Sequence, residues 1–375
     1  MKNKNLHIIS FDVPYPDNYG GVIDVFHKIR HLHQAGVKIT LHCFTYGRDK
    51  SVELEKFCES VYYYPRHTGK LKLFNTLPYI VISRTHPELL KNLRKNDDPI
   101  LFEGLHTTNL LSEPDIRKRK TIVRTHNIEH EYYSHLAQLE RHPFKKIYYT
   151  TESKKLWKYE SLLKHAGRIA AISNDDFHYF QNKYGNTISV PAFHAFDEVS
   201  SLTGQGDFCL YHGNLSIAEN HEAALWLIEE VLPLLHQQIV IAGQHPRSEL
   251  RQKAARHPKI KLIQNPDHLE MDRLIQQAQV HLLPAFQNSG IKLKLLHALY
   301  RGRFVVANAM MTGGSGLESI CQVAETPTDF AHAVQSVLEK TFSLEEISFR
   351  KKLLEEKFSN AAGAAQLIQL LDSDW

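Results

Sequence analysis

The stretch Val280–Ala307, VHLLPAFQNSGIKLKLLHALYRGRFVVA, decides how this chain folds. An apolar run from Val280 to Pro284 leads into a loop ending in Ser289-Gly290. Lys292 and Lys294 then open a helical pattern, Gly302 stops it, and a second apolar run covers Phe304 to Ala307. That is one β–loop–α–β unit. Its turn gathers unsatisfied backbone N–H groups, a helix N-terminus and two ammonium groups, a corner suited to a phosphate or diphosphate. The same letters also suit an ordinary α/β connection with solvated lysines.

The same alternation runs outward in both directions. Leu6 to Phe11 predicts a strand, and Asp12 to Gly21 a loop. Val22, Phe26, Ile29 and Leu32 then recur at helical spacing, Gly36 closes that helix, and Val37 to Phe44 is a strand again. Such βαβ units demand a parallel sheet with right-handed crossovers. Further strands are expected at Val61–Tyr64, Ile100–Phe102, Thr121–Arg124 and Arg168–Ile172, with a long helical region over 127–165. Around 190–206, VPAFHAFDEVSSLTGQG, periodicity lapses and a linker is expected. A second series follows: a strand at Phe208–Tyr211, a turn at His212-Gly213-Asn214, a helix over 222–235, and strands at Ile239–Ala242 and Lys259–Ile263. Two helices, 344–357 and 360–371, close the chain.

Composition narrows the function classes. The 375 residues suffice for two domains. Cys43, Cys58, Cys209 and Cys321 are scattered without a CxxC pair, which reads as reduced thiols and no metal site. A net charge of +4 with 24 histidines is mildly basic, and no RNA-binding signature accompanies it, so nucleic acid is not an expected partner. No apolar run reaches the ~20 residues of a membrane span, and the first apolar stretch is too short for a signal peptide, so a cytoplasmic location is expected. The stretch holding Lys145, Lys146, Lys154, Lys155, Lys158 and Lys164 with Tyr148, Tyr149, Trp157 and Tyr159 has two readings. It suits a peripheral helix at the inner face of the membrane that meets a lipid-linked acceptor, or a solvated helix covering the first sheet.

In doubly wound sheets ligands sit beyond the carboxyl ends of the strands, so the loops there carry the candidates. Asn18-Tyr19-Gly20-Gly21 precedes the first helix, where two glycines let a ligand approach the backbone. His126 follows a strand and can orient a reacting group or a sugar hydroxyl. Asn127, Glu129 and Glu131 read as a cap and dipole-favouring acids of the next helix. Glu103 follows the Ile100 strand as an acceptor contact or a solvated loop carboxylate.

These pieces, in this order, resemble the bacterial GT-B glycosyltransferases of the retaining group 1, family 4 type. The matching segments are NYGGVIDVFHKIRHLHQAG, RTHNIEHEYY, YHGNLSIAENHEAALWLIEEVLP, VIAGQHP and LLPAFQNSGIKLKLLHALYRGRFVVAN. The resemblance implies an α/β, GT-B fold: two Rossmann-like doubly wound domains facing a cleft, with a C-terminal helix crossing back to the first. The boundaries would be 1–190 plus about 358–375 for the acceptor side, 191–206 for the linker and 207–357 for the nucleotide-sugar side. Gly20 and Gly21 would lie against donor phosphate and acceptor, and His126 near the transferred sugar as the catalytic group. Gly213 and Asn214 would face the donor phosphates, and Ser289 and Gly290 the sugar or diphosphate.

The chain departs from that family in its donor motif. Ser289 and His297 stand where two glutamates are usual, the second of which binds the ribose hydroxyls. Asn214 and Glu219-Asn220 stand where an Arg and a Lys are common. Lys292 and Lys294 are then the nearest cations for the diphosphate. The activity implied is transfer of a hexosyl-type sugar from a nucleoside-diphosphate sugar to an acceptor hydroxyl of a glycan or lipid-linked acceptor, with retention, in glycan or glycoconjugate synthesis. No cofactor or metal is required by that arrangement. Two other readings stay open, a catalytically degenerate binding or partner subunit and a GT-B sugar-nucleotide epimerase.

Overall fold

The computed structural model describes residues 4–286 and 293–372, which divide into two compact units. The first holds 4–195 and 358–372, the second 196–286 and 293–357. Each contains one wholly parallel sheet.

The first unit's strands are β1 (Lys4–Ser10), β2 (Val37–Thr45), β3 (Ser60–Pro65), β4 (Ile100–Glu103), β5 (Thr121–Thr125), β6 (Arg168–Ala171) and β7 (Thr187–Ser189), in the order β3-β2-β1-β4-β5-β6-β7. Every residue of β4 and β5 is buried, because helices cover both faces. The order reverses between β1 and β4, and that switch point opens a crevice at the carboxyl ends of the strands. The helix Gly20–Gln34 starts there and buries Val22, Val25, Phe26, Ile29 and Leu32 on one face. Gly36, at φ 85°, turns the chain into β2. The closing helix Asn360–Asp372 adds Ala364, Leu367 and Leu371 to the same core.

The second unit's strands are β8 (Cys209–Asn214), β9 (Ile239–Gln244), β10 (Ile260–Gln264), β11 (Val280–Leu283), β12 (Phe304–Ala307) and β13 (Gln322–Val323), in the order β10-β9-β8-β11-β12-β13. Its switch point lies between β8 and β11. The helix Leu293–Arg301 follows β11 and buries Leu295, Leu296, Ala298, Leu299 and Tyr300.

Several local expectations are corrected. The region 127–165 is not one helix but Glu129–Leu139, Pro143–Tyr159 and a short turn after it, since Pro143 starts a new helix rather than continuing the old one. His212-Gly213-Asn214 is no turn: it finishes β8, paired with Ala242, Gly243 and Gln244. The helix expected over 222–235 starts at Ala218 and loosens into a π-helical turn at Leu227–Val231. Ile128, not Asn127, holds the N-cap position of Glu129–Leu139, and no side chain caps it there. Within the basic stretch, Lys155 is paired to Glu152 and bonds the Leu73 carbonyl, while Trp157 is exposed. Among the described residues no helix is long and apolar enough to cross a membrane.

Candidate active site

At the first unit's switch point the helix Gly20–Gln34 presents Asp24 and Lys28, one turn apart and both fully buried. Lys28 Nζ lies 2.7 Å from Asp24 Oδ2 and 2.8 Å from Glu103 Oε1 at the end of β4. Arg124, on β5, donates from Nη2 to Asp24 Oδ1 at 2.9 Å and also bonds the Pro191 carbonyl at 2.9 Å. Asp24 Oδ1 further accepts the Phe193 N–H at 2.8 Å. Two carboxylates and two cations thus cancel inside the fold, as buried charges must. Burial alone would raise the Asp24 carboxyl, but Arg124 and Lys28 outweigh it and hold it well below the usual range. Glu103 is lowered likewise, with Lys28 and His126 outweighing its burial.

His126 completes this cluster. Its Nε2 lies 3.0 Å from Glu103 Oε2, and the edge of its ring meets the Phe11 ring. An ionised Glu103 can only accept, so Nε2 carries a proton there. Nδ1 is buried with no protein partner among the described residues. Ligand-type atoms of Asp24, Glu103 and His126 lie within 4.8 Å of one another. However, Lys28 and Arg124 already supply the positive charge that a metal ion would bring to those carboxylates.

Gly20 opens the helix, and Tyr19 before it provides no side-chain cap, so the first amides are left for solvent or a ligand. The Tyr19 hydroxyl bonds Asp12 at 2.8 Å. Gly21 has a packing reason as well: a Cβ there would lie 2.7 Å from Phe11 Cζ. Beyond β5, Glu129 is buried and pushed up to about 7 by that burial, with its Oε1 3.8 Å from His106 Nδ1.

At the second unit's switch point, Asn214 ends β8 and its Oδ1 accepts the Ser216 N–H and hydroxyl, at 3.1 and 2.7 Å. Asn220 Nδ2 donates to the Asn214 carbonyl at 2.9 Å and lies against Gly213, where a Cβ would approach it to 3.3 Å. Lys294, in the first turn of Leu293–Arg301, crosses the Tyr211 ring at 5.3 Å and donates to Asn220 Oδ1 at 2.5 Å. Its ammonium therefore stands at the start of the helix Ala218–Trp226, beside Asn220. Ser289, Gly290 and Lys292 lie outside the described residues.

His297, one turn after Lys294, is not an isolated imidazole. Its Nε2 is 2.9 Å from Asp272 Oδ1 on the helix His268–Gln277. The bond to His297 is the chief cause that lowers the Asp272 carboxyl. His212 is buried behind this pair and kept neutral, lowered well below its ordinary value by burial and by His297, His281 and Lys294.

Sequence reasoning named His126, Lys294 and His297 but missed Asp24, Lys28, Arg124 and Asp272. Asp24 and Lys28 did leave one signal, a pair four residues apart set among Val22, Val25, Phe26 and Ile29.

Comparisons with known proteins agree with this architecture. Residues 206–340 match the family model described as Glycosyl transferases group 1. The chain is 26% identical over 364 residues to an uncharacterized 44.6 kDa protein in the cps region of Klebsiella pneumoniae, covering 91% of this chain and 93% of that one. Among solved structures it is similar to Anabaena HepE in complex with UDP and glucose, at TM-score 0.68 and 13% identity, covering 99% of this chain and 100% of that one. It is also similar to TarM, at TM-score 0.70 and 10% identity, covering 99% of each. The chain has the GT-B fold, and the stretch that matches the group 1 glycosyl transferase model lies within its second unit. The resemblance drawn from the sequence is borne out at that level.

Proposed function

We propose that this protein is a glycosyltransferase that moves a hexosyl-type sugar from a nucleoside-diphosphate sugar to an acceptor hydroxyl, with retention, in bacterial polysaccharide synthesis. The observation that carries this reading is Lys294, whose ammonium is delivered to the Gly213–Asn220 loop at the second switch point. A departing diphosphate there meets a cation, the amides beyond β8 and the start of a helix. That electrostatic set makes a divalent metal unnecessary. Asp272 and His297 offer the nucleoside a paired carboxylate and imidazole where the family uses a glutamate. In the first unit, His126 offers a buried, unpartnered Nδ1, its ring held in place through Nε2 by Glu103. HepE was solved with UDP and glucose, and the Klebsiella relative lies in a cps region, which supports a nucleotide-sugar donor and a polysaccharide product.

A thermal-shift screen against UDP-, GDP- and ADP-sugars tests this. One base class should stabilise the protein, by roughly 3 kcal/mol at a hundredfold excess over Kd. No shift with any donor, together with a co-purifying partner protein, would favour the degenerate subunit. Release of UDP from UDP-GlcNAc without acceptor would favour the epimerase.

A further inference from the structure

A cavity of about 220 Å³ lies within the first unit, lined by Arg84, His86, Leu89, Thr107, Asn109 and Leu110 among others. Its walls come from both sides of the switch point. Thr107, Asn109 and Leu110 follow β4, while Arg84 Nε donates to the carbonyl of Phe11, just past β1, at 2.7 Å. Arg84 Nη1 donates to the Ile80 carbonyl, also at 2.7 Å, so the guanidinium is fixed in place. The residue is 7% exposed, yet among the described residues it makes no ion pair and its Nη2 has no protein partner.

A buried cation without a counter-ion is costly, and folds rarely keep one idle. Asp12 carries a charge that favours the Arg84 cation but, among the described residues, forms no ion pair with it, and Glu129 is itself held toward its protonated form by burial. The cavity's lining includes no carboxylate. Its other polar groups, two threonines, an asparagine and a histidine, are hydrogen-bonding partners for hydroxyls, and its leucines suit the apolar face of a ring. The volume is below the roughly 300–1,000 Å³ of a site for a drug-sized molecule, so one small ring is the appropriate occupant. The cavity also adjoins the charged cluster: His106, between Thr107 and Glu103 in the chain, packs on Phe11, which packs on His126.

We propose that this cavity is a subsite for an anionic sugar residue of the acceptor, a single ring bearing one carboxylate or phosphate that Arg84 Nη2 engages. Only the word acceptor rests on the transferase reading; the binding does not. The test is calorimetric titration of the full chain with methyl β-D-glucuronide, glucose 6-phosphate and methyl β-D-glucoside at low and physiological salt. At least one anionic ring should bind tenfold or more tighter than the neutral glucoside, and the tighter of the two identifies the natural group as carboxylate or phosphate. Arg84→Gln should abolish the preference. Equal binding of all three, or a preference that survives Arg84→Gln, overturns the proposal. Should Arg84→Gln fail to fold, Asn109→Asp places a carboxylate in the cavity. It should weaken the anionic ring at least fivefold and the neutral ring less than twofold, and equal losses for both overturn the proposal. UDP, GDP and ADP are titrated in parallel. Loss of nucleotide binding alone sinks the transferase reading, and loss of the anion preference alone sinks the subsite.

Discussion

Lys294→Met isolates the charge on which the donor reading depends. The methionine keeps an aliphatic side chain of similar length and removes the ammonium, which now lies over the Tyr211 ring and 2.5 Å from Asn220 Oδ1. The loop should hold, because Asn220 Nδ2 still binds the Asn214 carbonyl and the Tyr211 hydroxyl still binds the Asn220 carbonyl, each at 2.9 Å. A hydrogen bond to a charged group contributes about 1.5–3 kcal/mol, which converts to a loss of about 10- to 150-fold in Kd. The assay is calorimetry with the nucleoside diphosphate found in the donor screen and, separately, with its nucleoside. The diphosphate should weaken within that range and lose part of its salt dependence. The nucleoside should change less than twofold, since it carries no charge for Lys294 to meet. A diphosphate Kd within threefold of the unmodified protein, or an equal loss for both ligands, would refute the assignment.

His126→Ala should cut transfer by at least about a hundredfold, the usual contribution of a positioned polar group, while melting falls only a few degrees. Undiminished turnover would return His126 to a structural role. Lys28→Met should cost about 3–5 kcal/mol in urea unfolding, because Asp24 then keeps Arg124 but Glu103 keeps no lysine or arginine, only His126. Glu103→Gln in the same chain should recover part of that loss, and a purely additive double variant would show the two are uncoupled. Glu129 titrates near 7 in the folded state against an ordinary 4.5, so the folded state holds its proton over that window. Stability should therefore fall as pH rises from about 4.5 through 7, by at most about 3 kcal/mol. Glu129→Gln should remove that slope, raising the melting temperature at pH 8 but not at pH 4.5; identical melting profiles would contradict the burial argument.

Much of the fold was legible because parallel strands buried on both faces read as continuous apolar runs. Ile100–Glu103, Thr121–Thr125, Val280–Leu283 and Phe304–Ala307 all stand within a residue or two of where the letters place them. The shortest strands were not legible. Thr187–Ser189 and Gln322–Val323 are strands only because neighbouring backbone pairs with them, and both residues of the latter are exposed. At the sites, glycines and histidines after strands were visible as motif positions, whereas Asp24 and Lys28 resemble an ordinary surface pair four residues apart. Their burial depends on Glu103 and Arg124, which arrive from strands 75 and 100 positions further along. Asp272 was invisible for the same reason, since only the packing of His268–Gln277 brings it to His297.

By itself, then, the sequence determined the alternation of strand and helix, the parallel sheets that follow from right-handed crossovers, and the place of Val280–Leu283 and Phe304–Ala307 as strands flanking a helix. Each of these is written in local periodicity and chain connectivity. Tertiary structure alone decided where the strand order reverses, that His126 reaches Glu103, that Lys294 reaches Asn220, and that Arg84 is buried without an ion pair among the described residues. Those depend on distances between residues far apart in the chain, and electrostatic energy depends on such distances and on burial rather than on spacing along the sequence.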